Sequence, residues 1–225
     1  MKLQRSSLPK LILFDLDGTL LDSSKGIFSS IRHAFLAHDI PVDFDDEKLR
    51  NQAGNGVGYL VSKIKNNLSK AQVSAIKKSA FGYYKKHAYD ETTAYEGAKE
   101  LLERLNEKGI LWGVITNKTR DLTEAVFPLV PSFETASILI CREDLAYHKP
   151  HPIGFFHALE TLNIQAKDAL YVGDGLVDML AAKYALCQSV IAKYGYVSKD
   201  VALWPHDASI ESLEQLRQWI TYLNV

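Results

Sequence analysis

Short apolar runs recur along the chain, and each has the length of a buried strand. Four are strong and a fifth is weaker; they cover residues 11–14, 110–115, 138–140, 169–172 and, more weakly, 189–192. Continuous apolar runs without polar alternation are typical of strands that are buried on both faces of a parallel sheet. The pattern therefore predicts a parallel sheet of about five strands.

Helical patterns lie between the later runs. Residues 98–108 carry a stripe of leucines and are followed by Gly109, a residue that favours the end of a helix. Another pattern begins at Pro152, which suits the first position of a helix. Residues 179–185 and 211–223 continue the alternation. Because strands alternate with helices, we predict an α/β fold with a doubly wound, Rossmann-like parallel sheet.

Residues 23–94 break this alternation. They hold no convincing strand but three apolar stripes at helical spacing, namely Ile27, Ile31 and Phe35; Val57, Leu60, Val61, Ile64 and Leu68; and Val73, Ile76, Ala80 and Tyr83. Ser69 is placed to cap the third of these helices. We therefore predict an α/β catalytic core at residues 1–22 and 95–225, with a small all-helical cap domain inserted after the first strand at residues 23–94.

The overall composition excludes several classes of protein. The formal net charge is -1, so no sequence-wide positive field indicates a nucleic acid or membrane partner. The apolar run near the N-terminus is too short for a signal-peptide core, and no stretch approaches transmembrane length. Two cysteines, Cys141 and Cys187, favour reduced, buried thiols over a disulfide framework. We expect a cytoplasmic protein.

Polar side chains follow the four strong runs. In chain order they are Asp15, Asp17 and Gly18; Thr116 and Asn117; Lys149; and Asp174, with Asp178 four residues further on. The carboxyl ends of parallel strands meet at one edge of a sheet, where α/β proteins bind their ligands. We therefore expect these side chains to form one site.

The types of residue in this set point to phosphate chemistry. Three carboxylates, those of Asp15, Asp17 and Asp174, would repel one another unless a cation lay among them. Oxygen ligands suit a hard ion, and Mg²⁺ is typically held by one or two carboxylates, waters and a phosphate. Lys149 would add a positive charge and Thr116 a hydroxyl donor, which together can clamp a phosphoryl group.

A carboxylate is the expected nucleophile. No serine, cysteine or histidine stands at a strand end to attack phosphorus, so the reaction would pass through an aspartyl-phosphate. Asp15 is the better candidate for the nucleophile, because its position at the end of the strand holds it in place. Asp17 would then protonate the leaving alcohol and afterwards activate water. Backbone N–H groups near Gly18 and Asn117 would add donors to the phosphate.

Four motifs, DLDGTL, ITN, HKP and GDGLVD, stand in this order after successive runs. They resemble the motifs of haloacid dehalogenase superfamily phosphatases, over roughly residues 10–22 and 95–225. The resemblance implies these roles: Asp15 as nucleophile, Asp17 as acid and base, Thr116 and Lys149 as phosphate-binding catalytic residues, and Mg²⁺ held by Asp15, the Asp17 carbonyl and Asp174. It also implies that Asp178 orients metal-bound water or Lys149.

The inserted segment resembles the small helical cap of this superfamily. RNQAGNGVGYL at residues 50–60 resembles the glycine-bearing cap loop of phosphoglycolate phosphatases, and AYEGAKELLERL at residues 94–105 resembles their return into the core. The residues expected to contact substrate are Gly18, Asn117, Asn55 and Gly56. Three positions depart from the pattern: Ala53 replaces a bulky aromatic, Glu96 a proline, and Gly175 a serine or threonine, which removes a hydroxyl but no metal ligand.

We therefore expect a Mg²⁺-dependent phosphatase of a small phosphorylated metabolite, as a monomer or homodimer, with phosphoglycolate as the leading substrate. The alternative within this class is a phosphatase of another substrate: a nucleotide 5′-monophosphate, pyrophosphate or a sugar phosphate. A phosphoglucomutase is also possible, but the cap sequence shows no feature distinctive of that enzyme. A dehalogenase would not need Asp17. A non-catalytic regulator that binds phosphorylated ligands would be expected to lose Asp15 or Asp17. An EF-hand calcium loop needs its glycine two positions later than Gly18.

Overall fold

The computed structural model describes residues 7–197 and 201–223. Six strands form one parallel sheet: β1 (Leu11–Phe14), β4 (Leu111–Ile115), β5 (Ile138–Ile140), β6 (Ala169–Gly173), β7 (Gln188–Ala192) and β8 (Ala208–Ile210). Two further strands, β2 (Leu21–Asp22) and β3 (Thr93–Ala94), pair antiparallel with each other. The order in the large sheet is β5-β4-β1-β6-β7-β8, so the first strand lies near the middle.

Nine α-helices accompany these strands in the described ranges. They are α1 (Ser24–Ala37), α2 (Asp46–Leu49), α3 (Val57–Ile64), α4 (Lys70–Glu91), α5 (Ala98–Glu107), α6 (Arg120–Glu124), α7 (Ile153–Thr161), α8 (Leu176–Tyr184) and α9 (Leu213–Tyr222). None of these helices combines the length and the apolar character needed to cross a membrane. A 3-10 helix at Arg50–Asn55 joins α2 to α3.

The sheet is covered by helices on both faces, which confirms the predicted α/β fold. Along β1, Ile12 and Phe14 point to one face and Leu11 and Leu13 to the other, and all four are fully buried. The first pair packs in a cluster with leucines of α5 and α9, and the second in a cluster with residues of α7 and α8. Side chains of successive residues in a strand alternate between faces, so a wholly apolar strand needs helices on both sides.

The helices α1–α4 all lie between β2 and β3, so the chain leaves the core and returns through this two-stranded ribbon. Ser69 caps α4 as predicted, because its hydroxyl accepts the Gln72 N–H while the Gln72 side chain accepts the Ser69 N–H. The cap helices share one hydrophobic cluster with the sheet, in which Phe28 and Phe35 are buried together with Phe14. The predicted bounds of the cap domain, residues 23–94, stay a prediction.

Several elements begin or end differently from their sequence patterns. The helix α3 ends at Ile64, so Leu68 lies beyond it, and α8 begins at Leu176, three residues before the predicted start. Pro152 precedes α7 rather than opening it. The strands β2, β3 and β8 have two or three residues and mixed polarity, and such short segments carry too little periodic signal to be recognised.

We expect Gly113→Ala to destabilise the sheet. A Cβ at Gly113 would lie 2.6 Å from the carbonyl oxygen of Ile138 and 2.5 Å from its Cγ2 atom, which would push β4 and β5 apart. Overpacking of this kind costs about 1–3 kcal/mol in the free energy of unfolding, measurable by urea denaturation.

The matched control is Gly82→Ala in the exposed middle of α4, where an added Cβ meets nothing within 4 Å. This change should stabilise the protein by about 0.5–1 kcal/mol, because alanine favours the helix more than glycine does. Equal unfolding midpoints for Gly113→Ala and the unmodified protein would contradict the packing described for β4 and β5.

Candidate active site

Three acidic side chains meet at the carboxyl edge of the central strands. Asp15 follows β1, Asp174 follows β6, and Asp178 lies in the first turn of α8. The parallel register of Phe14 with Val172 brings the ends of β1 and β6 side by side. One carboxylate oxygen from each acid lies within 4.8 Å of the other two. The strand ends therefore converge as the sequence predicts.

Lys149 supplies the positive charge within this acidic cluster. Its Nζ atom lies 2.8 Å from Asp15 Oδ1 and donates hydrogen bonds to Asp178 Oδ1 at 2.6 Å and to the Tyr171 hydroxyl at 2.8 Å. Only 3% of Lys149 is exposed. Burial alone would lower the pKa of Lys149, but Asp15 and Asp178 raise it above its usual value. The amine therefore stays protonated beside its two carboxylates.

Asp15 has one occupied oxygen and one open oxygen. Its Oδ1 accepts the Leu16 N–H at 2.8 Å and lies against Lys149, whereas Oδ2 has no recorded contact within residues 7–197 and 201–223. Burial and, to a smaller extent, the charge of Asp178 raise the pKa of Asp15 to about 7, although Lys149 and the Leu16 N–H act in the opposite direction. The Lys149 contact therefore fixes the orientation of this carboxylate through Oδ1 and leaves Oδ2 available.

Asp174 is held by two donors from separate parts of the chain. Thr19 donates its hydroxyl to Oδ1 at 3.2 Å, and the Tyr196 N–H donates to Oδ2 at 2.7 Å. Burial is the main cause that raises the pKa of Asp174 well above its usual value, and Asp15 and Asp178 add to it. A deprotonated Asp174 therefore requires additional positive charge nearby.

Two glycines make room for the Asp174 carboxylate. A Cβ at Gly18 would lie 2.1 Å from Asp174 Oδ2, and one at Gly195 would lie 2.2 Å from the Gly18 carbonyl oxygen. Gly18 also has a φ of 81°, which disfavours other residues. The Gly18 N–H donates to the Leu21 carbonyl at 2.8 Å, so its expected contact with substrate stays a prediction. Gly195 was not recognised from the sequence.

The donor set fits a hard divalent cation. Its ligand atoms are carboxylate oxygens, and burial raises the pKa of both Asp15 and Asp174, so a nearby cation would favour their deprotonated forms. The side chain of Asp178 is already occupied, because Oδ1 contacts Lys149 and Tyr171 while Oδ2 accepts the Gly175 N–H at 2.8 Å. These contacts favour a role for Asp178 in orienting Lys149.

The side chain of Asp17 is not part of this cluster and has partners of its own. The Ser23 hydroxyl donates to its Oδ1 at 2.6 Å, and Lys118 Nζ donates to Oδ1 at 3.0 Å and to Oδ2 at 2.9 Å. Lys118 also donates to the hydroxyl of Tyr84 at 2.7 Å, and its Nζ lies 4.3 Å from the centre of that ring. Asp17 is therefore linked through Lys118 to α4 of the cap.

Thr116 and Asn117 lie at the end of β4. Thr116 is 4% exposed, and its Oγ1 accepts the Lys118 N–H at 3.2 Å, which leaves the hydroxyl proton for another acceptor. Asn117 donates its Nδ2 to the Lys149 carbonyl at 2.8 Å, and its Oδ1 is buried without a partner in the part of the chain described. Asn117 therefore holds the Lys149 loop in place; its predicted contact with substrate remains untested.

The cap loop contacts the core through a residue other than those expected. Asn55 and Gly56 are exposed, and among the described residues no hydrogen bond joins them to the acidic cluster. Arg50 instead donates to Asp22 Oδ2 at 2.7 Å and to the Tyr95 hydroxyl at 3.0 Å. Asp22 and Tyr95 lie in and beside the β2–β3 ribbon, so Arg50 joins the cap loop to the point where the chain re-enters the core.

Sequence reasoning missed Lys118, Tyr84, Arg50 and Tyr171. Tyr171 carried a usable signal, because a buried tyrosine inside an apolar run needs a partner for its hydroxyl. Lys118 stands directly after the ITN motif and could have been included with it. Tyr84 and Arg50 had no comparable signal, since their contacts depend on how the cap packs against the core.

Known proteins are similar to this chain over most of its length. The sequence profile of the haloacid dehalogenase-like hydrolase family matches residues 12–192 of the chain. A phosphoglycolate phosphatase of Xanthomonas campestris is 30% identical over 210 residues, which cover 92% of this chain and 95% of the relative. An N-acetylmuramic acid 6-phosphate phosphatase of Pseudomonas aeruginosa is 27% identical over 210 residues, covering 92% of both chains.

A solved structure has the same fold. The crystal structure of a predicted phosphoglycolate phosphatase from Haemophilus somnus is similar to this chain with a TM-score of 0.83 and 25% sequence identity. The alignment covers 96% of this chain and 98% of that one. The similarity extends over almost the whole length of both chains, so it includes the helices between β2 and β3.

We expect Mg²⁺ to raise the thermal unfolding midpoint, and to raise it more at pH 8 than at pH 5. The folded-state pKa of Asp15, about 7, lies above its ordinary value of 3.8. Without a cation, this group therefore costs increasing stability as the pH rises from about 4 to about 7. Bound metal needs the deprotonated carboxylates and offsets this cost.

Asp174→Asn should reduce the Mg²⁺-induced shift of the midpoint. Asp39→Asn is the matched control, since Asp39 is exposed in the turn after α1 and should leave the shift unchanged. Thermal scans with and without Mg²⁺ measure all three proteins. A shift of the same size in Asp174→Asn and the unmodified protein would place the ion elsewhere.

Proposed function

Since this chain belongs to the haloacid dehalogenase-like hydrolase family and is a phosphatase, we propose a specific reaction for it. The reaction is the Mg²⁺-dependent hydrolysis of a small phosphomonoester through an aspartyl-phosphate. One observation carries the proposal: Asp15 contacts Lys149 and lies in a cluster with Asp174, while Asp17, two residues along the chain, pairs with a second lysine, Lys118. The proposed nucleophile and the proposed proton donor are thus held by different lysines.

In the first half-reaction, Oδ2 of Asp15 attacks phosphorus. The bond from phosphorus to the ester oxygen breaks as the new oxygen–phosphorus bond forms, and Asp17 gives its proton to the departing alcohol. Lys149 holds the other oxygen of Asp15, so the attacking oxygen keeps a fixed direction. Asp15 thereby becomes an acyl phosphate and Asp17 a carboxylate.

In the second half-reaction, water attacks the phosphorus of the aspartyl-phosphate. Asp17 takes a proton from that water, the Asp15 carboxylate leaves, and inorganic phosphate is released. Ser23 and Lys118 hold the Asp17 side chain in place during both steps. The two carboxylates return to their starting state at the end of the cycle.

The remaining residues bind and orient the phosphoryl group. Thr116 directly follows β4 and Lys149 lies in the loop between β5 and α7, and both donate to the phosphoryl oxygens. Asp178 and Tyr171 hold the Lys149 ammonium group in place. The Mg²⁺ ion, held by Asp15, the Asp17 carbonyl and Asp174, would compensate negative charge on the phosphoryl group. Gly18, Asn117, Asn55 and Gly56 remain proposed substrate contacts.

We propose phosphoglycolate as the leading substrate. A relative that is 30% identical bears that name, and a second relative is named for N-acetylmuramic acid 6-phosphate. Both named substrates are phosphate esters of a carboxylic acid. A sugar phosphate is supported as the alternative by the second relative, whereas a nucleotide 5′-monophosphate, pyrophosphate and a phosphoglucomutase reaction have no comparable support. A cytoplasmic location and a monomer or homodimer remain part of the proposal.

We expect Asp15→Asn to leave the protein folded and to lower turnover of an aryl phosphate by at least about 10³-fold, because the amide cannot form the phosphoenzyme. Phosphate release is the measurement, and circular dichroism checks the fold. The control is again Asp39→Asn, which removes the same charge from an exposed turn. Turnover of Asp15→Asn near that of the control would remove Asp15 from its role.

We expect activity to depend on Mg²⁺ and to be inhibited by Ca²⁺. Ca²⁺ is larger and prefers more ligands in looser geometry, so it should occupy the carboxylates without arranging the phosphoryl group for attack. Phosphate release is measured after chelation, after Mg²⁺ is returned, and with Ca²⁺ added. Undiminished turnover after exhaustive chelation would contradict the metal requirement.

A further inference from the structure

Lys118 is a second buried lysine of the site, and it pairs with a different carboxyl group from the one that Lys149 contacts. Its side chain is 7% exposed and pairs with Asp17, whereas Lys149 pairs with Asp15 and Asp178. Within the described ranges, Asp17 is the acidic side chain that pairs with Lys118. Each ammonium group is therefore paired with one of the two proposed catalytic acids, Lys149 with the nucleophile and Lys118 with the proton donor.

The position of Asp17 places Lys118 beside the leaving group. A general acid lies about 3 Å from the oxygen that it protonates. The Lys118 Nζ atom is 2.9 and 3.0 Å from the two Asp17 oxygens. The ammonium group is therefore within about 6 Å of the ester oxygen of a bound substrate.

A carboxylate close to the ester oxygen would span this distance. In a phosphate ester of a 2-hydroxy acid, the carboxylate carbon is two bonds from the ester oxygen, and its oxygens lie about 3 Å from that atom. One further hydrogen bond of about 3 Å reaches the Lys118 ammonium group. An uncharged hydroxymethyl group at the same place would leave the ammonium group without this anionic partner.

The cap supplies a second donor at the same place. The Tyr84 hydroxyl oxygen accepts a hydrogen bond from Lys118 Nζ at 2.7 Å, and the hydroxyl of Thr92 interacts with the same group, so the Tyr84 proton would have to turn toward a bound carboxylate. Tyr84 is 3% exposed and lies on α4. A carboxylate there would take over one of the three hydrogen bonds that Lys118 now donates and would also face the hydroxyl of Tyr84 on the cap.

We propose that Lys118, together with Tyr84, binds a carboxylate of the leaving group, so that the enzyme selects phosphomonoesters of short hydroxy acids. This inference rests on the proposed phosphatase function and adds the residues that determine specificity. The interaction is formed across the contact between α4 and the end of β4, so the carboxylate is bound only where cap and core meet.

The test compares two substrates of nearly equal size, 2-phosphoglycolate and 2-hydroxyethyl phosphate. The unmodified enzyme should favour phosphoglycolate in kcat/KM by about 10-fold to 100-fold, the usual effect of a hydrogen-bonded charge pair. Lys118→Met should bring this ratio close to one, and Lys118→Arg should restore part of it. Tyr84→Phe should lower the ratio by a few-fold, about the effect of one hydrogen bond.

The matched control is Lys85→Met. Lys85 follows Tyr84 in the same helix, is exposed, and pairs with Asp121 at 3.7 Å on the surface between cap and core. The change removes the same charge outside the cleft, so the ratio should equal that of the unmodified enzyme. Both substrates are measured on one preparation, and the ratio is therefore independent of the folded fraction.

Two results would overturn the inference and leave the phosphatase assignment intact. One is an unmodified enzyme that hydrolyses an aryl phosphate but does not prefer phosphoglycolate to 2-hydroxyethyl phosphate. The other is a Lys118→Met variant that keeps the ratio of the unmodified enzyme, which would mean that Lys118 acts through Asp17 alone. Failure to hydrolyse any of the three esters in the presence of Mg²⁺ would instead overturn the proposed function.

Discussion

Repulsion between buried carboxylates is the constraint on which the site depends. Asp15, Asp174 and Asp178 present oxygens within 4.8 Å of one another at the ends of β1 and β6, where little water remains to screen them. Lys149 is the cation that contacts two of the three. The network that surrounds Lys149, including the hydroxyl of Tyr171, keeps this single charge in the position where it offsets the repulsion.

The same constraint explains how the local backbone is built. Asp174 must approach the β1 turn closely, and only a glycine at position 18 leaves space for its carboxylate. Gly195 allows the loop after β7 to approach the same turn, so that the Tyr196 N–H can donate to Asp174. A charged group that is this deeply buried needs donors from several directions, and glycines at the crossing points let the backbone provide them.

Much of this arrangement follows from sequence, because parallel strands bring their carboxyl ends together. The five apolar runs, the cap on α4 by Ser69 and the meeting of Asp15 with Lys149 and Asp174 could all be predicted from local patterns. The contact of Lys118 with Tyr84 could not, because it joins residues whose separation depends on how the cap helices pack on the core. Short strands such as β8 were not recognised from the sequence, because two or three residues carry little periodicity.

In the proposed reaction, residues of the core act on the phosphoryl group, whereas the cap influences the surroundings of the leaving group. The residues proposed to act on the phosphoryl group, Asp15, Thr116 and Lys149, all follow strands of the core and are held by core partners. The proposed acid is held differently, because Asp17 contacts Lys118 and Lys118 contacts the cap. A change in the inserted helices can therefore alter the surroundings of the leaving group while the bonds around the nucleophile stay the same. Such a division lets one phosphoryl-transfer core serve different alcohols, because selection of the alcohol is confined to the surface where cap and core touch.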